Sequence, residues 1–141
     1  MNLVYLLDTS VYFQPIKKQP LDSVIKRWKS EGDQVVCTSI ICETELLQHL
    51  EKANSSSLWK RYEAILKDRL PLLPFDIRAA RVYAKLQAEF SNKGRIKPVF
   101  DLMIASICIS NGLILATTNS RDLDGIPNLE VEDWSLQTGG G

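Results

Sequence analysis

Short apolar runs that stop abruptly at polar residues recur along the chain. Leu3–Leu7 is continuously apolar and ends at Asp8, and Leu113–Ala116 repeats the pattern before a second polar cluster. Runs of this length and composition are typical of buried parallel strands. Val35–Cys37 predicts another short strand, and the alternation in Leu129–Val131 predicts a final edge strand.

Between these runs, apolar residues spaced three and four positions apart predict amphipathic helices. Five helical segments are expected, over Leu21–Lys29, Ile40–Leu50, Leu58–Arg69, Ile77–Phe90 and Val99–Ile109. Pro71–Phe75 interrupts them as a short extended segment whose prolines favour a sheet edge. This alternation predicts an α/β fold of three layers, α/β/α, with a central parallel sheet of four to five strands.

Val99–Ile109 is almost purely apolar, and Asp101 is its only charged residue. The segment predicts a helix that is buried on nearly every side. Two interpretations of Asp101 stay open: it caps the helix by accepting backbone N–H bonds, or it points into a site and binds a cation. Asp8 allows the same choice, because it follows a strand at the sheet edge where ligands bind in α/β proteins.

The composition narrows the class of protein. The 141 residues, 45% hydrophobic and 24% charged, suit one soluble domain, expected over residues 1–135 with a flexible tail over 136–141. The formal net charge is zero, with 17 basic and 17 acidic side chains, so net charge alone does not indicate nucleic-acid binding, which would need a local basic patch or metal ions. No signal peptide or membrane-spanning run is expected. Cys37, Cys42 and Cys108 lie in apolar segments, as expected for free thiols in the cytoplasm.

The predicted sheet brings distant acidic residues to one edge. Asp8 and the polar segment 119–122 share that edge if their strands are neighbours, and crossover connections place helix starts there too, among them those carrying Glu45 and Asp101. Carboxylates held so close repel one another unless cations intervene. Mg²⁺ or Mn²⁺ prefers oxygen ligands, and either ion can activate water against a phosphodiester.

Other chemistries find less support in the sequence. The single histidine, His49, has no nearby nucleophile; it lies one turn after Glu45, so the two could pair, and we expect a surface partner rather than a ligand or general base. No Gly-rich phosphate loop is present. The basic loop 92–97, with Lys93, Arg95 and Lys97, is either a solvated connection or a set of phosphate contacts.

Four segments, in order, resemble the PIN-domain ribonucleases and, within them, the VapC-type toxins of type II toxin–antitoxin systems. These are LLDTSV around Asp8, TSIICETELL around Glu45, FDLMIAS around Asp101, and LATTNSRDLDGIPNLEVEDW around Asn119 and Asp122. The resemblance spans essentially Leu3 to Trp134 and implies a PIN-like fold.

The resemblance also implies which residues act. The acidic quartet Asp8, Glu45, Asp101 and Asp122 would bind Mg²⁺ or Mn²⁺ for RNA cleavage, leaving 5′-phosphate and 3′-hydroxyl ends. Residues expected to contact substrate are Thr9, Ser10, Thr117, Asn119 and Arg95. Glu45 fits the family pattern better than Glu43, and Asp122 better than Asp124. Ser10 stands where the family usually has Asn, and Thr118 where a basic residue is often found.

The family resemblance further implies an RNA substrate, a homodimer and a VapB-like antitoxin that silences the enzyme by placing a basic side chain in the acidic cleft. Three rival interpretations remain open. In the first, the chain is a PIN-domain nuclease of RNA processing without an antitoxin. In the second, it is a catalytically idle PIN-fold binding module, and in the third, a plain α/β domain whose acidic residues only cap helices.

Overall fold

Residues 2–136 are described in the computed structural model of the chain. The strands are β1 (Tyr5–Leu7), β2 (Val36–Ser39), β3 (Leu72–Leu73), β4 (Ile114–Thr117) and β5 (Glu130–Asp133). The helices are α1 (Thr9–Tyr12), α2 (Asp22–Glu31), α3 (Ile40–Ala53), α4 (Ser56–Ile65), α5 (Ile77–Asn92) and α6 (Val99–Ser110). From residue 137 onward, the predicted tail lies outside the described residues.

The five strands form one parallel sheet in the order β3-β2-β1-β4-β5. Leu6 at the centre pairs with Cys37 on one side and with Leu115 on the other. Since every pair is parallel, all five strands end at the same edge, and chain segments return to the opposite edge through helices. The predicted parallel α/β sheet is confirmed, with the short segment after Pro71 at one edge, as its prolines indicated.

Helices cover both faces of the sheet. Successive residues of a strand point to opposite faces, and β1 shows this directly: Leu7 packs into one hydrophobic cluster and Leu6 into the other. The cluster around Leu7 is formed largely by α2, α3 and α4, with Trp134 buried in it. The cluster around Leu6 is formed largely by α5 and α6. The three-layer α/β/α arrangement is therefore confirmed.

Helix α6 differs from the prediction at its beginning. Pro98 occupies the N-cap position, and Asp101 is the third helical residue, with no capping hydrogen bond. The interpretation of Asp101 as a helix cap is therefore wrong. Val99 is 53% exposed and Phe100 38%, so burial on nearly every side holds only from Leu102 onward.

Helix α5 shows a smaller difference. Asp76 caps it, and its side chain accepts a hydrogen bond from the Ala79 amide at 3.0 Å. Ile77, the first apolar residue of the predicted helical segment, is 65% exposed. Within residues 2–136, every helix is too short or too polar to cross a membrane.

Candidate active site

The site is assembled where β1 and β4 end side by side. The Asp8 amide donates to the Ala116 carbonyl at 3.0 Å, which extends the pairing of the two strands by one step. Beyond that point the chain turns into α1 on one side and into the segment Thr117–Asn119 on the other. The topology thus places the two polar clusters next to each other, as the sequence predicted.

Ser10 ties these two clusters together. Its hydroxyl donates to Asp8 Oδ1 at 2.6 Å and accepts a hydrogen bond from the Thr118 amide at 3.0 Å. Beside it, the Thr117 hydroxyl accepts from the Asn119 amide at 3.0 Å and so fixes the turn after β4. The short hydroxyl of Ser10, where the family usually has Asn, therefore still orders the site.

Asp8 fits both interpretations left open by the sequence. Its carboxylate caps α1 by accepting from the Val11 amide at 3.2 Å, and it also lies at the ligand-binding edge of the sheet. Burial raises the pKa of Asp8, while the hydrogen bond from Ser10 is the largest influence that lowers it. The ionised form is thus costly to desolvate and is stabilised by local donors.

Glu45 faces the site, and Glu43 does not. The Thr9 hydroxyl donates to Glu45 Oε1 at 2.6 Å, joining α3 to the start of α1. Glu43 is only 6% exposed and accepts hydrogen bonds from two buried tyrosines, Tyr12 at 3.1 Å and Tyr62 at 3.0 Å. Residues two positions apart on a helix diverge in direction, which explains the different environments of the two glutamates.

His49 does not pair with Glu45. Its ring packs edge-on against Phe13, with the centroids 4.9 Å apart, while Glu45 is hydrogen-bonded to Thr9. The predicted Glu45–His49 surface pair is therefore wrong. The Glu45 carboxylate instead accepts a hydrogen bond from the Thr9 hydroxyl on α1, at 2.6 Å.

Asp101 lies in the electrostatic field of two other carboxylates. Burial raises its pKa most, Glu45 and Asp122 raise it further by repulsion, and Lys97 lowers it. Asp122 belongs to a single 3₁₀ turn, Ser120–Leu123, beyond β4. Carboxylates from three distant parts of the chain therefore influence one another here, and we call the space around them the acidic cleft.

Lys97 has a role that the sequence did not reveal. Its Nζ donates to the backbone carbonyls of Asp122 and Asp124, at 3.1 and 3.0 Å, and so holds the turn carrying Asp122 against the entry to α6. The sequence marked Lys97 only as one charge of a basic loop. Its acceptors are main-chain atoms, which leave no signal in residue identity.

Arg95 is the predicted site residue that the structure does not join to the others. Its side chain is exposed, and within residues 2–136 it makes no hydrogen bond or ion pair. The remaining predicted residues lie at or beside the edge where β1 and β4 end. Among the described residues, no three His, Cys, Asp or Glu side chains stand close enough to form a ready metal cage.

Known proteins share this chain's sequence and fold. Residues 5–129 match the PIN domain family. A tRNA(fMet)-specific endonuclease VapC from Shigella flexneri is 33% identical over 136 residues, covering 94% of this chain and 99% of that protein. Ribonuclease VapC2 from Haemophilus influenzae is 31% identical over 135 residues, covering 94% of this chain and 98% of that protein.

Crystal structures extend the likeness to three dimensions. DNA-bound VapBC from Salmonella typhimurium aligns with a TM-score of 0.81 and 30% identity, covering 94% of this chain and 98% of that chain. VapBC2 from Rickettsia felis, bound to a DNA fragment from its promoter, aligns with a TM-score of 0.80 and 29% identity, covering 94% of this chain and 99% of that chain. The chain therefore belongs to the PIN domain family and, within it, to the VapC ribonucleases.

Proposed function

We propose that this protein is a metal-dependent endoribonuclease of the VapC toxin type, which hydrolyses RNA phosphodiester bonds and is neutralised by a cognate antitoxin. The observation that carries the proposal is that Asp101 is repelled by both Glu45 and Asp122, while Glu45 is hydrogen-bonded to Thr9, the residue that follows Asp8. Its relatives named ribonuclease and endonuclease VapC supply the reaction class.

The oxygen donors suit a hard divalent cation by their chemical type, although the side chains do not form a ready cage within residues 2–136. Burial and the charges of Glu45 and Asp122 raise the pKa of Asp101, and Lys97 is the one cation that opposes the shift. The cleft therefore carries excess negative charge on oxygen atoms, which is the environment that Mg²⁺ or Mn²⁺ prefers. Asp8, Asp101 and Asp122 would hold the ion, with Glu45 binding it directly or through water.

The protein's own residues prepare the cleft for the reaction. Thr9 fixes the direction of Glu45, and Ser10 does the same for Asp8, each through a 2.6 Å hydrogen bond. Fixed carboxylates lose little conformational freedom on binding, so the site is partly organised in advance. Thr117 and Asn119 border it and would position the RNA. A bound Mg²⁺ or Mn²⁺ supplies Lewis-acid stabilisation of phosphoryl oxygens and an activated water.

A VapB-like antitoxin is the proposed protein partner. The Salmonella and Rickettsia relatives are named as VapBC complexes, and this chain has their fold over 94% of its length. A basic antitoxin side chain inserted into the cleft would replace the metal's charge and relieve the repulsion at Asp101. We place the protein in the cytoplasm as a homodimer, where its three buried thiols stay reduced.

A paired set of variants tests the proposal. RNA cleavage is measured with Mn²⁺ for the wild type, Asp101→Asn, Asp122→Asn and the matched control Asp124→Asn. We expect the first two variants to lose at least about 100-fold in rate, since they remove charge at the reacting centre. Asp124→Asn keeps activity, because only its backbone carbonyl contacts the cleft through Lys97.

Calorimetric titration of Mn²⁺ separates the rival interpretations. Binding to the wild type that Asp101→Asn abolishes supports the enzyme. A folded, antitoxin-free protein that binds no Mn²⁺ and cleaves no RNA would favour the binding-module interpretation. Retained cleavage in both Asp8→Asn and Asp101→Asn would overturn the assignment of the site.

A further inference from the structure

An open cavity of about 480 Å³ lies between the end of α1, helix α3 and the start of α4. Its polar lining is basic or hydroxyl-bearing and contains no carboxylate. The polar residues that line it are Lys17, Lys18, His49, Ser55, Ser57 and Arg61. In a chain whose net charge is zero, this concentrates positive charge in one concave place.

The positive charges of this cavity are not neutralised by the protein. Within residues 2–136, Lys17, Lys18 and Arg61 form no salt bridge, although four such bridges occur elsewhere in that part of the chain. Arg61 also lacks a hydrogen-bond partner at one buried atom. Its Nε is buried without a hydrogen-bond partner, and it is the one such side-chain atom among the described residues. A buried unmet donor costs about 1–3 kcal/mol, so the position suits a ligand that brings an acceptor oxygen.

The cavity is close to the acidic cleft. His49 lines the cavity and lies one helical turn after Glu45 on the same face of α3, which is about 6 Å along the helix axis. Phe13, also in the lining, ends α1, whose N-cap is Asp8. An extended strand that crosses the cleft therefore reaches the cavity within a few nucleotides.

We propose that this cavity is a phosphate-binding subsite for single-stranded RNA, in which Lys17, Lys18 and Arg61 bind successive backbone phosphates next to the cleavage site. This inference rests on the proposed ribonuclease function. The cleft's carboxylates repel the RNA backbone, so nearby cations are needed to hold the strand. The start of α4 adds amide donors and the Ser57 hydroxyl on the same side.

RNA is favoured over an acidic peptide because of the geometry and the donor types. Arginine and two lysines around a helix start suit a phosphate, with its several acceptor oxygens. The line from Asp8 through α1 to the cavity also continues the proposed substrate path. An acidic antitoxin segment in the same place is a separate outcome of the test.

The test measures binding of a fluorescent single-stranded RNA of about twelve nucleotides by anisotropy over a range of salt concentrations. All proteins carry Asp101→Asn, so that no cleavage occurs. The variants are Arg61→Gln and the double change Lys17→Gln with Lys18→Gln. Lys60→Gln is the matched control, since Lys60 is exposed on α4 but does not line the cavity.

Each lost phosphate contact should weaken binding about fourfold near 0.15 M salt and reduce the slope of log K against log salt by about 0.7. The double lysine variant, which changes two exposed residues and leaves the core intact, should bind more than about tenfold more weakly than the control. If all variants bind with the affinity and slope of Lys60→Gln, the subsite does not exist.

Two further measurements keep the inferences apart. If the variants bind RNA normally but lose binding of a polyglutamate peptide of similar length, the cavity takes an acidic protein segment and the RNA proposal is wrong. Cleavage by the protein without Asp101→Asn is followed in parallel. Absence of any cleavage by it overturns the ribonuclease function, whereas normal cleavage with unchanged binding by the cavity variants overturns only the subsite.

Discussion

The buried carboxylate of Glu43 offers a sharp test of how this fold holds its helices together. It lies on α3 and accepts hydrogen bonds from Tyr12, the last residue of α1, and from Tyr62 on α4. All three side chains are at most 6% exposed. Burial and the bond to Glu43 raise the pKa of Tyr62 to about 12, so both phenols remain donors at neutral pH.

The expected cost of breaking this network follows from the burial of the charge. A hydrogen bond to a charged group contributes about 1.5–3 kcal/mol. Tyr62→Phe, which removes one hydroxyl and leaves the ring packing intact, should therefore lower the free energy of unfolding by that amount and the melting temperature by roughly 5–12 °C. Tyr12→Phe should behave alike. Tyr12→Phe with Tyr62→Phe should lower the free energy of unfolding by more than the sum of the two single changes, because the buried carboxylate then has neither tyrosine donor.

Urea unfolding followed by tryptophan fluorescence measures these differences. Tyr83→Phe is the matched control: Tyr83 is half-buried, packs on Phe75, and its hydroxyl makes no hydrogen bond within residues 2–136. Glu43→Gln should be milder than Glu43→Leu, since an amide still bonds both phenols whereas leucine leaves two buried hydroxyls unpaired. If Tyr62→Phe differs from Tyr83→Phe by less than about 0.5 kcal/mol, the network does not stabilise the fold.

Three further predictions concern charge and metal. Burial, Glu45 and Asp122 raise the pKa of Asp101 above 3.8, so its ionisation costs stability as the pH rises from 3.8 through the raised value. The melting temperature of Asp101→Asn should therefore exceed that of the wild type at pH 7, and the difference should vanish below pH 3.8. Equal melting temperatures at pH 7 would argue against the repulsion. Mn²⁺ at about 100 times its dissociation constant should stabilise the wild type by about 2.7 kcal/mol in a thermal-shift assay, reversibly with EDTA, and leave Asp101→Asn unaffected. Arg69→Lys should cost about 1 kcal/mol in urea unfolding, because lysine cannot keep both bonds to Asp33 and the stacking on Trp28; an unchanged midpoint would contradict this.

The order of strands and helices was predictable because each buried strand is a short apolar run with a polar stop. The residues at which each strand and helix begins and ends were harder to predict. The first strand was expected from Leu3 but is regular only from Tyr5, although the Val4 backbone already bonds Val35 and Ile114 on its two sides. Val4 itself is 37% exposed, so an apolar residue that bonds to the neighbouring strands need not be buried. Ile77 shows the same separation of composition from burial, because an apolar residue in the first turn of a helix need not face the core.

The site was predictable to the extent that topology determines it. Parallel strands must end at one edge, so Asp8 and the segment after Thr117 had to meet there. Asp101 was harder, because a carboxylate at a helix start has a common alternative use as a cap. The decisive fact was the position of Pro98, which starts the helix early enough to move Asp101 into the first turn.

Contacts that depend on backbone atoms or on three-dimensional proximity lay beyond the sequence. Nothing in the residue types indicates that Lys97 reaches the carbonyls of Asp122 and Asp124, or that the Thr118 amide donates to Ser10. Both contacts bind the turn after β4 to another part of the cleft. Because that turn carries Asp122, its stiffness decides whether the carboxylate meets Asp101 at a fixed distance. The side chains proposed to perform the chemistry are therefore visible in the sequence, whereas the main-chain contacts that hold them in place are visible only in the fold.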